Sequence, residues 1–168
     1  MQALGLVWRD VDFISSDCDE HWMPKEAPSH SGAELAYRNW RDKHDSGGFV
    51  VGRDLPSRAL AGVLRNLAIY EPVGDDFRMR VAGTGLVRRY GCEVTGLLLS
   101  QLYEPQAFKR QRENMERVQQ GEALFADIRV TRGARLQLHY EALQLPVRSP
   151  DLSQAWVLGG FFYHDWAR

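Results

Sequence analysis

The sequence predicts an α+β domain with a five-stranded antiparallel sheet, helices on one face and an N-terminal helical extension. Three observations support this prediction. Within residues 77–96, residues 77–82 alternate in side-chain character and then reach the G-T-G turn at residues 83–85, the pattern of a strand that runs into a short helix. Two pairs of strand-like segments flank a helical stretch over residues 86–120. A last apolar segment, residues 156–163, completes the sheet.

Caps and apolar periodicity predict the helices. Residues 33–44 place apolar side chains at helical spacing, and Ser31 is a suitable N-terminal cap. Residues 86–90 follow a threonine that can cap a helix and precede Gly91, which can end one. Residues 105–120 form the longest amphipathic pattern and therefore predict the main helix of the domain.

Alternation and turn residues predict the strands. Residues 63–71 and 77–82 are separated by P-V-G-D-D, which predicts an antiparallel hairpin. Residues 123–131 and 135–145 flank a turn glycine and predict a second hairpin. A closing strand over residues 156–163 gives five strands in all.

Composition limits the classes of partner. The 168 residues are 44% hydrophobic and 11% aromatic, which indicates one folded domain with a sizeable core. The formal net charge is -1, which argues against nucleic acid or an anionic membrane as the main partner, since both require a basic surface. No segment approaches the roughly 20 apolar residues of a membrane span, and charged residues directly after residues 1–8 argue against a signal peptide. We expect a cytoplasmic protein that binds neither nucleic acid nor membrane.

The N-terminal segment is predicted to lie outside the folded domain. Residues 1–31 are predicted to form an N-terminal extension or arm, and residues 32–168 a single domain. Residues 15–32 are polar and contain two prolines, so we expect irregular structure there. The arm also holds three aromatic residues that are candidate anchors for a partner, Trp8, Phe13 and Trp22.

Five segments of the chain resemble a known family. They are Y-R-N-W at residues 37–40, D-L-P-S-R at 54–58 with the L-R-N-L-A-I-Y-E that follows, the strand–helix motif at 77–96, H-Y-E-A-L-Q-L-P at 139–146 and L-G-G-F-F-Y at 158–163. Together they make the chain similar to PAS domains over roughly residues 34–164, and in particular to the stand-alone sensor type of alphaproteobacteria. The resemblance implies a sensory or regulatory fold that binds small molecules or protein partners, and it implies no chemistry.

The leading functional hypothesis is therefore a sensor with a ligand cavity between sheet and helices. We expect this sensor to bind a small, apolar or weakly acidic molecule and to signal through a partner protein. Arg88 and Arg89 follow the G-T-G turn and are candidate contacts for an anion, with a solvated helix face as the alternative. The candidate lining residues are Leu67, Ile69, Met79, Val81, Leu86, Tyr90, Phe108, Met115, Leu138, Tyr140 and Phe161 or Phe162.

Two other readings remain open. One is a ligand-free dimerisation or adaptor module, and we expect a homodimer in either case. The other is a small enzyme that uses Asp127 or His139 for acid–base chemistry, but no nucleophile–base pair is evident, so the prediction is that the protein is not an enzyme. The candidate dimer or partner contacts are Tyr37, Trp40, Arg78 and Arg80.

No resident cofactor or metal is expected. Cys92 lies in Y-G-C-E-V-T-G, which lacks the N-C-R-F-L-Q motif of flavin-binding, light-sensing relatives. Residues 105–120 contain no histidine that could bind haem iron. Cys18 and His21 have a metal-like spacing, but they lie in one polar segment without a second ligand cluster, which favours a surface loop.

Overall fold

The computed structural model describes residues 18–164, which form a six-stranded antiparallel sheet with helices on both faces. The strands are β1 (Cys18–Lys25), β2 (Leu67–Val73), β3 (Asp76–Ala82), β4 (Leu124–Arg132), β5 (Arg135–Arg148) and β6 (Ala155–Tyr163). They follow the order β1-β4-β5-β6-β2-β3 across the sheet. The predicted α+β class and antiparallel sheet are confirmed, but the predicted strand count of five was wrong.

The additional strand is β1, in a segment that was wrongly predicted to be irregular. It pairs along its whole length with β4, and Pro24 lies opposite Ala126. Because β1 is at the sheet edge, a proline without an N–H group is tolerated there. Trp22 lies on this strand, whereas Trp8 and Phe13 lie outside the described residues.

Four α-helices among residues 18–164 cover the sheet, α1 (Ser31–Asp45), α2 (Leu86–Tyr90), α3 (Leu99–Leu102) and α4 (Pro105–Gln119). Helices α2, α3 and α4 pack on one face, as predicted, and α1 packs on the other. The N-terminal cap of α1 is His30 rather than Ser31, because the His30 Nδ1 atom accepts a hydrogen bond from the Gly32 N–H. No helix among residues 18–164 is long and apolar enough to cross a membrane.

Two hydrophobic cores result from this arrangement, one on each face of the sheet. The helix-side core lies between the sheet and α2–α4 and includes Met79, Leu86, Met115, Tyr140 and Phe161. The α1-side core contains, among others, Ala36, Trp40, Leu67, Ile69, Phe125, Leu143 and Phe162. Since both faces are covered, β2, β5 and β6 are apolar on both sides.

The G-T-G turn is explained by a close approach of two backbone segments. The Gly83 N–H donates to the Leu67 carbonyl at 2.8 Å, and the Gly85 N–H donates to the Arg65 carbonyl at 2.7 Å. A Cβ atom on Gly83 would lie only 2.3 Å from the Arg65 carbonyl oxygen. Helix α2 begins after Gly85 and not with a threonine cap, and it ends at Gly91 with φ of +73° as predicted.

Candidate functional site

A buried arginine is the most unusual side chain of the helix-side core. Arg89 extends from α2, and only 4% of its side chain is exposed. Its Nη2 atom donates to the Glu20 carboxylate of β1, and its Nε atom donates to the Tyr140 hydroxyl at 3.0 Å. Its Nη1 atom is buried and has no hydrogen-bond partner among residues 18–164. Such an unpaired donor costs free energy unless a ligand or water satisfies it.

Tyrosine side chains surround this guanidinium. The Tyr90 and Tyr103 rings lie 5.1 and 6.0 Å from the guanidinium carbon of Arg89, and their hydroxyls are hydrogen bonded to each other at 2.6 Å. Tyr140 of β5 accepts from Arg89 Nε, Tyr70 of β2 is hydrogen bonded to Tyr90, and both line a small adjoining cavity together with Tyr103. We call the set Glu20, Tyr70, Arg89, Tyr90, Tyr103 and Tyr140 the Arg89 cage.

The tyrosines of the cage are neutral hydrogen-bonding groups. Burial raises the pKa of Tyr70, Tyr90, Tyr103 and Tyr140 above the usual range for a phenol, although the nearby positive charge of Arg89 lowers each pKa in part. Arg89 keeps its charge, because its neighbours outweigh the effect of burial and its pKa is raised further. The cage therefore presents one fixed positive charge among phenol hydroxyls.

Glu20 supplies the counter-charge from the edge of the sheet. Its carboxylate also accepts from the Trp22 indole N–H and from Arg110 Nη2 at 3.1 Å. Burial alone would raise the pKa of Glu20, but the charge of Arg89 and these hydrogen bonds outweigh burial and lower it. Glu20 is therefore ionised at neutral pH, and its side chain is 11% exposed.

Little free space remains beside the cage. The cavity lined by Tyr70, Tyr103 and Tyr140 has a volume of about 10 Å³, which holds no more than one water molecule. A second pocket of about 70 Å³ opens between α4 and strands β1, β4 and β5. Trp22 and Gln144 line both spaces, and Gln144 Oε1 is buried without a hydrogen-bond partner among residues 18–164.

A family model described as PAS domain matches residues 28–162. The chain belongs to the PAS domain family. Among solved structures it is similar to one titled "Structure of an RNA-binding Light-Oxygen-Voltage Receptor", with 19% sequence identity and a TM-score of 0.43. The match covers 86% of this chain and 38% of that chain, so this PAS domain spans well under half the length of the receptor. No curated protein matches the chain.

Most of the predicted lining residues of this PAS domain lie where they were expected. They pack in the helix-side core or against it; these are Met79, Leu86, Tyr90, Phe108, Met115, Leu138, Tyr140 and Phe161. Whether any of them contacts a ligand stays a prediction. Phe162, named as the alternative to Phe161, faces α1 instead.

Three predicted lining residues lie on the wrong face for that cavity. Leu67 and Ile69 pack in the α1-side core, because their neighbours on β2 face the helices. Val81 is 48% exposed and, together with Leu67 and Ile69, lines a pocket of about 250 Å³ outside the helix-side core. The position of Val81 results from a β-bulge in β3. Ile69 pairs with Val81 but Tyr70 pairs with Met79, so the extra residue Arg80 reverses the alternation of side chains between the two faces.

The two candidate anion contacts point in different directions. Arg89 is buried in the cage, whereas Arg88 is exposed and lies 4.5 Å from the Tyr163 ring. The Tyr163 hydroxyl in turn donates to the Gly85 carbonyl at 2.9 Å. Arg88 and Arg89 therefore belong to separate surroundings, and Arg89 is the one that lies inside the domain. A ligand contact by either arginine stays a prediction.

The candidate partner contacts have different accessibility. Trp40 is 5% exposed and donates its indole N–H to the Pro146 carbonyl at 2.7 Å, so it is not free for a partner while α1 is docked. Tyr37 is half-buried and stacks on Trp40. Arg78 and Arg80 both form ion pairs with Glu71 near the sheet edge and remain partly exposed. Dimer or partner contacts by Tyr37, Arg78 and Arg80 stay a prediction.

Cys18 and His21 do not form the metal-like arrangement considered from sequence. Cys18 packs against the helix-side core, whereas His21 is exposed and bonded to Thr131 Oγ1 at 3.0 Å, so the two do not converge. Cys92 lies just after α2, and burial together with the charge of Glu93 raises the pKa of its thiol.

Sequence reasoning missed Glu20, Tyr70 and Tyr103 as site residues. The available signal was the alternation of Cys18, Glu20 and Trp22, which all face the helix side of β1. The two prolines of this segment favoured irregular structure instead, so the alternation was not interpreted as a strand. A short polar strand at a sheet edge is recognisable only once its neighbour β4 is known.

Proposed function

We propose that this PAS domain is a sensor whose ligand is a small molecule with a carboxylate or similar anionic group that binds Arg89. The observation that supports the proposal is the buried guanidinium of Arg89, which has an unpartnered Nη1 atom. A buried ion pair adds little net stability compared with apolar residues of similar volume. Binding of an anionic ligand explains why a charged Arg89 lies in the core, which the requirements of packing do not explain.

In this proposal Glu20 acts as a built-in competitor for the ligand. An arginine binds a carboxylate best through two parallel N–H groups, and Glu20 leaves the Nη1 atom of Arg89 unused. An incoming carboxylate displaces Glu20, whose side chain keeps Arg110 as a partner nearer the surface. The exchange replaces one ion pair by another and adds a hydrogen bond at Nη1.

The edge strand links this exchange to a partner protein. Glu20 and Trp22 lie on β1, which among residues 18–164 has a paired neighbour, β4, on one side only. Displacing Glu20 removes the tie between β1 and α2 while the rest of the sheet stays paired. The unpaired edge and the moved Trp22 then form a surface that differs between the free and bound states.

The cage also limits the size and kind of ligand. The two adjoining spaces have volumes of about 10 Å³ and about 70 Å³, so the ligand has few heavy atoms unless Trp22 moves. Tyrosine rings and the apolar neighbours of the cage favour an apolar or aromatic body. Small monocarboxylates such as acetate and benzoate are therefore suitable probes.

The test is thermal unfolding in the presence of acetate, benzoate or inorganic phosphate. We expect a carboxylate to raise the Tm of the wild type, and to raise that of Glu20→Gln more strongly because the competitor has lost its charge. Arg89→Gln removes the response, and Arg88→Gln, the adjacent exposed arginine, retains it. The proposal fails if no probe shifts the Tm of wild type or Glu20→Gln, or if Arg89→Gln responds like the wild type.

The second candidate is a ligand-free dimerisation or adaptor module. The nearly filled cavity of about 10 Å³ favours it. In this case no probe changes the Tm, and light scattering shows a dimer. Arg78→Glu and Arg80→Glu then reduce dimer formation because both side chains lie at the exposed sheet edge, while Arg38→Glu on the exposed side of α1 serves as the control.

A further inference from the structure

A second cluster of polar side chains lies on the opposite face of the sheet from the Arg89 cage. His139 of β5 and His164, just after β6, are cross-strand neighbours, because the His164 N–H donates to the His139 carbonyl at 3.0 Å. Asp127 of β4 lies diagonally beside His139 in the β4–β5 ladder. The register thus brings two imidazoles and one carboxylate together from three neighbouring parts of the sheet.

The distances between the three side chains are short. The His139 Nε2 atom lies 2.9 Å from the Asp127 carboxylate, and the His164 Nε2 atom lies 3.5 Å from it. The ligand atoms of all three residues lie within 4.8 Å of one another. The two imidazole rings are 4.2 Å apart between centroids.

These donors match one class of ion. Two imidazole nitrogens and a carboxylate oxygen suit Zn²⁺ and its neighbours Co²⁺ and Ni²⁺, with bonds of about 2.0–2.2 Å. Ligand atoms around such an ion are roughly 3 Å apart, so small side-chain rotations complete the site. We propose that Asp127, His139 and His164 bind a divalent transition-metal ion on the α1 face of this PAS domain.

The neighbouring charges leave the three ligands available. The nearby carboxylate of Glu141 is fully buried and occupied by Lys25 and by the Ser29 and His30 N–H groups. The Asp127, His139 and His164 side chains are 23%, 21% and 36% exposed, so an ion reaches them from solvent. Water fills the remaining coordination positions, as is usual for a site with three protein ligands.

A metal ion at this site would cross-link neighbouring strands of the sheet. An ion bound there joins β4, β5 and the residue that follows β6, and because it binds only the folded arrangement it stabilises the domain. Sequence spacing does not reveal the cluster, since its members lie on separate strands and no two form a short motif. The inference is independent of the Arg89 cage, which occupies the other face.

Metal titration of the untagged, chelator-treated full chain tests this proposal. We expect isothermal titration calorimetry to show one Zn²⁺ per chain and Co²⁺ to develop visible absorption. His139→Ala, His164→Ala and Asp127→Asn each lower the Zn²⁺ affinity at least about tenfold. His21→Ala, an exposed histidine of β1, binds like the wild type.

Two outcomes overturn the proposal. One is a wild type that binds neither Zn²⁺ nor Co²⁺. The other is binding that persists at wild-type affinity in His164→Ala, which removes a partly exposed side chain outside both cores and is expected to fold. A rise in Tm with Zn²⁺ in the wild type, absent in His164→Ala, provides an independent confirmation.

Discussion

Glu20 of the edge strand β1 and Arg89 of α2 form an ion pair inside the helix-side core, far apart in sequence and almost removed from water. Each charge compensates the other, because a single buried charge without a counter-charge would strongly destabilise the fold. The pair also joins the sheet edge to the five-residue helix α2. A ligand that competes for Arg89 therefore acts on β1 through a single contact.

The free energy of unfolding at low pH depends on the Glu20–Arg89 ion pair. The folded-state pKa of Glu20 is lowered, so its contribution is fully present above the unfolded pKa of about 4.3 and is lost as pH falls through the folded value. We expect Glu20→Gln to reduce the free energy of unfolding by about 3 kcal/mol at pH 7, and by progressively less below pH 4.

Urea unfolding of both proteins across this pH range measures the difference. Glu122→Gln is the matched control, because Glu122 pairs with Arg117 on the exposed surface, and we expect a much smaller change. Equal losses in the two variants would contradict the assignment of a buried ion pair to Glu20.

Alkaline conditions test the tyrosine cage. Burial raises the pKa of Tyr70, Tyr90, Tyr103 and Tyr140, and raises that of Tyr163 to about 12. A raised folded pKa means that stability is intact below the unfolded value of about 10 and falls as pH rises beyond it. Spectrophotometric titration is expected to show these five phenols still protonated at about pH 10, where a free phenol ionises, and ionising together on unfolding. Ionisation of several phenols below pH 10.5 in the folded protein would show that the cage is open to solvent.

The G-T-G turn gives a prediction about packing. Alanine at Gly83 places its Cβ 2.3 Å from the Arg65 carbonyl oxygen, and this backbone cannot move without breaking two hydrogen bonds. We expect Gly83→Ala to lower the free energy of unfolding by at least about 2 kcal/mol.

The matched control for this substitution is Gly62→Ala. A Cβ atom there meets nothing within 4 Å and the backbone is not left-handed, so we expect a change of less than about 1 kcal/mol. Chemical denaturation compares the two, and similar stabilities would argue against the close approach.

Much of the fold was predictable because local patterns and tertiary environment agree. Helix α2 and its glycine terminator follow from residues 86–91, and α4 follows from its amphipathic pattern. The turn residues between β2 and β3 and between β4 and β5 fix two hairpins. Each of these features depends on side chains near in sequence, which periodicity detects.

The errors came from features that depend on distant partners. Pro24 is tolerated only because β1 lies at the sheet edge, which sequence does not reveal. The bulge at Arg80 moves Val81 to the other face, and no local pattern marks it. Arg89 was predicted as an anion contact, but its burial and its partner Glu20 follow from a contact between distant segments.

Glu141 provides a further prediction about how α1 is attached. Its buried carboxylate accepts the Ser29 and His30 N–H groups at 2.9 and 2.7 Å and contacts Lys25. We expect Glu141→Ala to speed amide hydrogen exchange at residues 29–36, because the segment before α1 loses its anchor. Glu26→Ala, an exposed neighbour, is the control, and unchanged exchange in Glu141→Ala would refute the anchoring role.

Native mass spectrometry of the untagged chain, purified under mild conditions in parallel with Arg89→Gln, addresses the proposed sensor role itself. We expect the wild type to carry a small organic acid that excess benzoate displaces, and folded Arg89→Gln to carry none. A wild type that carries no added mass, and whose Tm neither acetate nor benzoate changes, would contradict the account and favour the ligand-free interaction module.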